Sequence, residues 1–149
     1  MTGIALTSTA FHDHGAIPRR HSGEGDDVSP PLAWSGVPDG AEELVLLCED
    51  PDAPGGTFLH WLVTGITPTS SGVLEGAEPQ DGRQWPNDFG RSGWGGPMPP
   101  PGGPHRYVFR LSAVSEPLPL HGRPNSEAVH RALKGRELAA GKLTGTYQR

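Results

Sequence analysis

The stretch Asp50-Pro51-Asp52-Ala53-Pro54 places two carboxylates in one short turn, and His60 follows a few residues later. Proline fixes its own φ and pushes the preceding residue toward extended conformations, so both aspartates are held with little freedom. Aspartates in such turns commonly cap their own backbone, which is the purely structural interpretation of Asp50 and Asp52. Fixed carboxylates near an imidazole are also typical of a site that orients a histidine or moves a proton.

A second histidine, His105, begins an apolar run directly after the glycine- and proline-rich tract 95–104. Gly55 and Gly56 lead to His60 in a comparable way, so the two histidines occupy similar positions in two predicted strands. If these strands are neighbours, both imidazoles meet near the Asp-Pro-Asp turn. A single histidine in a strand is most often a core residue, but two with carboxylates between them favour a site.

Apolar runs bounded by glycine and proline predict the strands that position these residues. They cover Ile4 to Phe11, Glu43 to Cys48, Thr57 to Thr64, His105 to Val114 and Lys142 to Tyr147. One short helix is predicted after Asn125 or Ser126 as N-cap, ending near Gly135, with a further helical turn over 137–140. The pattern predicts one mainly β domain over residues 1–149.

The strand around His60 alternates with a period of two residues, which predicts which side chains share a face. One face is predicted to hold Phe58, His60 and Leu62, and the other Leu59, Trp61 and Val63. Both faces are apolar, so we expect this strand to be covered on both sides.

The segment from Thr67 to Pro104 has little regular pattern but contains several aromatic residues. A long loop of this kind in a compact domain is expected to be functional or disordered, and its aromatic side chains favour an ordered loop packed on the sheet. Trp85, Phe89 and Trp94 are predicted to contribute to an apolar patch too large for a monomer to expose, which favours a homodimer.

Composition excludes several classes of protein. The chain has 22 glycines and 17 prolines in 149 residues, which is typical of a loop-rich fold, and its net charge of -5 argues against nucleic acid as a partner. No stretch approaches the roughly 18 apolar residues of an integral membrane segment, and no basic segment followed by an apolar one begins the chain, so a cytoplasmic location is expected. The single cysteine, Cys48, lies in an apolar run and is predicted to be a buried core residue rather than a nucleophile.

The chain resembles the phosphatidylethanolamine-binding proteins, most closely their bacterial Raf kinase inhibitor-like branch. Four segments carry the resemblance: Asp27-Val28-Ser29-Pro30-Pro31-Leu32-Ala33-Trp34, Asp50-Pro51-Asp52-Ala53-Pro54 with His60-Trp61, Gly96-Pro97-Met98-Pro99-Pro100 with His105-Arg106-Tyr107, and Leu143-Thr144-Gly145-Thr146-Tyr147-Gln148-Arg149. The resemblance implies a β-sandwich with a smaller flanking sheet and a few short helices. It also implies a pocket at one end for phosphate-like anions or phospholipid headgroups, and a homodimer.

Carried over by the resemblance, the ligand-binding residues are Asp50, Asp52, His60, Gly96, Pro97, His105 and Tyr107. Imidazolium groups supply hydrogen-bond donors to an anion, and a carboxylate on the far ring nitrogen fixes the tautomer. Arg106 is expected to face away and form a structural ion pair. The predicted function is non-catalytic binding of a small anionic or phosphorylated ligand, without a cofactor or a metal.

Two other functions use the same residues. An enzyme could carry protons on His60, His105, Asp50 and Asp52 during chemistry on a small metabolite. No Gly-X-Ser-X-Gly elbow and no P-loop occurs in the chain to support an ordinary hydrolase or a nucleotide-binding enzyme. Two histidines and two aspartates are also a zinc ligand set, although carboxylates tied down by turn backbone are poor ligands.

Overall fold

Nine strands, one α-helix and one 3-10 turn make up residues 3–149, the part of the chain that the computed structural model describes. The strands are β1 Ala5–Thr7, β2 Gly15–Ala16, β3 Leu32–Ser35, β4 Glu43–Asp50, β5 Phe58–Ile66, β6 Gly72–Val73, β7 Arg83–Gln84, β8 His105–Val114 and β9 Glu137–Tyr147. The 3-10 turn is Arg19–His21 and the helix, α1, is Ser126–Leu133. Within these residues no helix is long and apolar enough to cross a bilayer.

Two sheets face each other. The larger has six strands in the order β2-β9-β8-β4-β5-β7, and the smaller has three in the order β1-β3-β6. All pairings are antiparallel except that of β2 with β9. Strand β4 is therefore central, as its apolar character on both faces predicts.

Apolar side chains form one core on each face of the large sheet. The inner core joins the two sheets and includes Leu6, Trp34, Leu46, Trp61 and Phe109. The outer core lies under α1 and includes Val45, Leu47, Leu59, Leu62 and Val129. Burying both faces supplies the hydrophobic free energy that a chain so rich in glycine needs to offset its backbone entropy. The predicted covering of both faces is confirmed.

Helix α1 begins where the sequence predicts. The Asn125 side chain accepts a hydrogen bond from Ala128 N at 2.9 Å, which satisfies one of the free N–H groups of the first turn. Val129 and Leu133 lie on the face that packs on the sheet. The helix ends before Gly135, whose φ of +80° reverses the chain.

Strand β5 contains a bulge at His60, and this bulge corrects the predicted faces. Cys48 pairs with Trp61 and Glu49 pairs with Leu59, so His60 is the extra residue on β5. A bulge of this kind places two consecutive side chains on one side of the sheet. Leu59 therefore packs in the outer core with Leu62, and the expectation that it shares a face with Trp61 and Val63 is wrong.

The predicted helical turn over residues 137–140 is also wrong, because these residues begin β9. Strand β9 pairs with β8 from Val114 opposite Glu137 to His105 opposite Tyr147. Glu137 accepts hydrogen bonds from the Arg110 side chain at 2.6 and 3.1 Å, which favours the extended pairing over the local helix propensity.

The tryptophans of the long segment do not form an exposed patch. Trp85 is buried, and its Nε1 donates to Thr64 Oγ1 at 2.9 Å. Trp94 stacks on Phe109 in the inner core, with ring centroids 5.8 Å apart. Of the three residues predicted to form the patch only Phe89 is exposed, so this argument for a dimer is wrong. The expectation of an ordered, packed loop is confirmed.

Candidate functional site

A cavity of about 200 Å³ opens where β4 ends and β5 and β8 begin. Because β4 is antiparallel to both neighbours, these three strand ends meet at one edge of the sheet. The polar part of the lining is Asp50, His60, His105 and Tyr107. The apolar part is Ala53, Pro54, Phe58, Phe89, Met98, Pro99 and Pro100.

Asp50 binds both the turn and a histidine. Its Oδ1 accepts a hydrogen bond from Asp52 N at 2.7 Å, and its Oδ2 lies 2.7 Å from His105 Nδ1. The Asp50 side chain is only 4% exposed and that of His105 13%. The turn-capping and histidine-orienting roles therefore both belong to Asp50. A carboxylate on Nδ1 fixes the tautomer and leaves Nε2 of His105 for a molecule in the cavity.

His60 is oriented by a backbone carbonyl. Its Nδ1 lies 2.6 Å from Gly95 O, and because a carbonyl only accepts, Nδ1 carries the proton. Nε2 is therefore an acceptor in the neutral ring and becomes a donor only when the ring is protonated. Burial lowers the pKa of His60, while the Gly95 carbonyl and the nearby Asp50 carboxylate partly oppose that effect. The ring packs edge-on against Phe89 and Tyr107.

Tyr107 brings an unused hydroxyl to the cavity. Its side chain is buried, and its hydroxyl oxygen has no hydrogen-bond partner among the described residues. Burial and then the Asp50 carboxylate raise the pKa of Tyr107 far above the working range, so the hydroxyl keeps its proton. A buried unpartnered hydroxyl costs free energy, and a ligand with an acceptor atom removes that cost.

Asp52 lies outside the cavity, contrary to its predicted role in the pocket. Its carboxylate accepts from Arg106 Nε at 3.0 Å, from Arg106 Nη2 at 2.8 Å and from the Arg106 backbone N at 2.9 Å. These bonds lower the pKa of Asp52 to about 2. The expected structural role of Arg106 is confirmed. Asp52 binds the guanidinium because Arg106 points away from His105 along β8.

Gly96 and Pro97 also lie outside the lining. Gly96 N donates to Asp27 Oδ1 at 2.8 Å, and Pro97 O accepts from Gly23 N at 2.9 Å, so both pack on the loop before β3. A Cβ on Gly96 would lie 2.2 Å from His21 O, which shows how closely this backbone approaches the loop. The structure thus brings together Asp50, His60, His105 and Tyr107 of the seven predicted residues.

Sequence reasoning missed the apolar wall of the cavity. Phe58 precedes the bulge, and its ring centroid lies 4.7 Å from those of both His60 and Phe89. Met98 and Phe89 are about half exposed at the rim. Apolar residues in a strand or a loop carry no sequence signal that distinguishes a pocket wall from a core.

A second carboxylate–imidazole pair lies on the other face of the sheet. Glu49 Oε1 is 2.6 Å from His130 Nε2 on α1, beside a separate cavity of about 450 Å³. The hydrogen bond that His130 donates to the Glu49 carboxylate raises the pKa of His130. Burial alone would raise the pKa of Glu49, but its hydrogen bond with the His130 imidazole lowers it.

Comparison with known proteins extends over nearly the whole chain. The family model described as phosphatidylethanolamine-binding protein matches residues 7–148. A UPF0098 protein of Methanothermobacter thermautotrophicus is 43% identical over 97% of this chain and 98% of its own length. A Mycobacterium tuberculosis protein named as a candidate lipoprotein, LppC, is 41% identical over 97% of this chain and 72% of its own length.

The fold comparison agrees. The crystal structure of Escherichia coli YbcL, described as a new member of the mammalian PEBP family, has a TM-score of 0.90 at 31% identity and covers 99% of both chains. This similarity confirms the predicted mainly β fold with its second, smaller sheet. The chain therefore belongs to the phosphatidylethanolamine-binding protein family.

Proposed function

We propose that the cavity binds a small anion, such as inorganic phosphate or the phosphate of a phosphomonoester or lipid headgroup, without reacting with it. The observation that carries this proposal is that both histidines already use Nδ1 in a hydrogen bond within the protein. His60 Nδ1 bonds to Gly95 O, and His105 Nδ1 bonds to Asp50. Each protonated ring then has one N–H, at Nε2, for a molecule in the cavity.

The other polar groups are compatible with an anion. The Tyr107 hydroxyl adds a third donor, which has no hydrogen-bond partner among residues 3–149. Both oxygens of Asp50 already accept hydrogen bonds, so the negative charge of this carboxylate is stabilised within the protein. Phe58, Phe89 and the proline tract give the rim an apolar surface for the organic part of a ligand.

Membership of a family named for binding phosphatidylethanolamine supports ligand binding in general. The anionic character of the ligand is supported by the donor set of the cavity. The proposal therefore depends on the protonation of His60 and His105, which distinguishes it from binding through the apolar wall alone.

Calorimetric titration with sulfate and with phosphate at pH 5.5 and pH 8 tests the proposal. Sulfate keeps its charge over this range, so a change in its affinity reports on the protein. Because burial lowers the pKa of His60, we expect affinity to rise steadily as the pH falls below 6.5. Equal sulfate affinities at the two pH values, or tighter binding at pH 8, would contradict the proposal. His60→Gln, which cannot titrate, should weaken the pH dependence.

The Asp50–His105 pair favours one alternative, an enzyme in which His105 acts as a general base. A carboxylate 2.7 Å from Nδ1 is the arrangement that such a base needs. Turnover of an aryl phosphate or an aryl ester that disappears in His105→Gln would establish it. The zinc alternative is weakened because Asp52 is bound to Arg106 and does not join the histidines.

Assembly and location remain predictions. The expectation of a homodimer rests on the resemblance to the bacterial branch, since Trp85 is buried and Trp94 is partly buried against the inner core. Light scattering at micromolar concentration checks it, and a monomer mass contradicts it. Fractionation of the source cells tests the expected cytoplasmic location against membrane attachment, which the name of the mycobacterial lipoprotein suggests for that relative.

A further inference from the structure

The peptide group between Gly95 and Gly96 forms hydrogen bonds through both its C=O and its N–H. Its carbonyl, Gly95 O, lies 2.6 Å from His60 Nδ1, and its N–H, on Gly96, donates to Asp27 Oδ1 at 2.8 Å. A peptide group is planar, with its C=O and N–H pointing in opposite directions. The Asp27 carboxylate, this peptide and the His60 imidazole therefore form one continuous chain of hydrogen bonds.

We propose that Asp27 is a positioning residue for His60 and acts through the Gly95–Gly96 peptide. A negative charge on the N–H side polarises the peptide and strengthens the acceptor on its carbonyl side. The stronger acceptor holds the proton on Nδ1 and stabilises the imidazolium form. His105 has its carboxylate in direct contact, whereas His60 has one across a single peptide group. The effect on ligand binding rests on the function proposed above, but the effect on His60 does not.

The local backbone is built around this contact. A Cβ on Gly96 would lie 2.5 Å from Asp27 Oδ1, so only glycine lets the carboxylate reach the N–H. Asp27 itself has a φ of +55°, in the left-handed region that non-glycine residues rarely occupy. Aspartate and asparagine adopt this conformation more readily than other non-glycine residues do, so the residue type at position 27 fits both the backbone and the contact with Gly96 N.

Gly95 supplies the carbonyl of the same peptide, and it too is closely packed. A Cβ there would lie 2.4 Å from the Phe89 ring, which forms part of the cavity wall. Gly95 N also donates to His60 O at 3.0 Å, so this glycine bonds to His60 through both of its backbone groups. The Gly95–Gly96 pair thus connects the cavity to the Asp27 loop without contributing a side chain.

Charges around His60 come from several elements. Asp50 from β4, Asp88 from the loop after β7 and Asp27 all raise the pKa of His60 against the effect of burial. Arg91 Nη2 lies 3.1 Å from Asp27 Oδ2 and partly neutralises that carboxylate. His105 and Tyr107 from β8 line the same cavity. Among the carboxylates, the direct Coulombic effect of Asp88 on His60 exceeds that of Asp27.

The order of these effects gives a sharp test. Asp27→Asn keeps an acceptor for Gly96 N and removes the charge, and asparagine tolerates a positive φ. Asp88→Asn is the matched control, because Asp88 Oδ2 accepts from Leu59 N without touching the Gly95–Gly96 peptide. The pKa of His60 is measured in both variants, without ligand, by NMR titration of its Cε1–H, together with the chemical shift of the Gly96 amide proton.

We expect Asp27→Asn to lower the pKa of His60 more than Asp88→Asn does, and to move the Gly96 amide proton upfield. If Asp88→Asn lowers the pKa of His60 as much as Asp27→Asn does, or more, the proposal is overturned. Direct Coulombic interaction would then be sufficient to explain the pKa of His60. Arg91→Gln is a second variant that should raise the pKa of His60 and move the Gly96 proton downfield. Unchanged values in Arg91→Gln would also overturn it.

Sulfate binding is the separate readout that depends on the proposed function. At a pH above the pKa of His60, Asp27→Asn should weaken sulfate by the factor by which it reduces the protonated fraction of His60. If the pKa changes as expected while sulfate binding does not, the positioning role stands and the anion proposal fails. If the pKa is unchanged, the positioning role fails whatever the sulfate affinity.

Discussion

Glu49 and Asp50 are consecutive residues whose carboxylates bind histidines on opposite faces of one sheet. Glu49 Oε1 is 2.6 Å from His130 on α1, and Asp50 Oδ2 is 2.7 Å from His105 at the cavity. Successive side chains along a strand point to opposite faces of the sheet, so the end of β4 contributes one carboxylate to each histidine pair. The pairs differ in exposure, since the His130 side chain is 47% exposed and that of His105 13%.

The His130–Glu49 pair should give stability within a limited pH window. The pKa of His130 is raised above 6.5, so its contribution is complete below 6.5 and is lost as the pH rises through the folded pKa. The pKa of Glu49 is lowered below 4.5, so its contribution is present above 4.5 and is lost at lower pH. Urea unfolding should show His130→Gln to be less stable than the wild type at pH 5.5, by at most about 1 kcal/mol because the His130 side chain is about half exposed. At pH 9 the stabilities of the two proteins should be closer. A difference that does not vary with pH would contradict this assignment.

Tyr107→Phe should separate ligand binding from stability. The change removes a buried hydroxyl that has no partner in the described chain, so the free energy of unfolding should stay the same or rise by up to about 1 kcal/mol. Sulfate affinity at pH 5.5 should fall, because one of three proposed donors is lost. Thermal unfolding and calorimetry check both results, and a destabilised variant with full affinity would contradict both.

Asp52→Asn should affect the turn but not the ligand. The pKa of Asp52 is about 2 against an ordinary value of 3.8, so its stabilisation is present above 3.8 and is lost as the pH falls toward 2. The Arg106 side chain is 58% exposed, which limits the loss at pH 7 to about 1 kcal/mol or less. Sulfate affinity should not change, whereas Asp50→Asn should reduce it. Equal losses of sulfate affinity in the two variants would show that Asp52 contributes to ligand binding after all, contrary to this prediction.

Trp61→Ala should damage the inner core beneath the cavity. Trp61 is 1% exposed, and its Nε1 donates to Gln84 Oε1 at 2.8 Å. Truncation of a buried tryptophan costs about 3–5 kcal/mol, measured as a change in the free energy of unfolding by urea. Leu74→Ala is the control, because Leu74 is 80% exposed and its loss should cost less than about 0.5 kcal/mol.

The sequence was sufficient to predict the long strands and the helix. Apolar runs predicted β4, β5 and β8, and the cap at Asn125 predicted α1, because these signals are local. The β9 residues 137–140 were predicted as helix, since their pairing with β8 is a long-range contact that local propensity does not contain. Short strands such as β6 and β7 have two residues each and no period to detect.

At the candidate site, the sequence could predict which ionisable residues lie near the ends of strands. Asp50, His60 and His105 meet as predicted, since antiparallel neighbours bring their ends to one edge. The partner of each carboxylate was not predictable, because Asp50 and Asp52 lie two residues apart in one turn and the sequence does not show where their side chains point. The role of Asp27 depends on a contact between residues 27 and 96, which no local pattern encodes.

The bulge at His60 has a consequence for how the chain tolerates mutation. A systematic substitution scan along β5 should show two alternating series that change phase at residue 60, with polar replacements rejected at Trp61 and Val63 on one side and at Leu59 and Leu62 on the other. Deletion of one residue there would remove the irregularity between Cys48 and Glu49 in the pairing of β4 with β5 and would carry His60 or Trp61 away from its present environment. Strand length, rather than residue type alone, is therefore under constraint at this position, and natural insertions or deletions should be confined to the loops on either side of it.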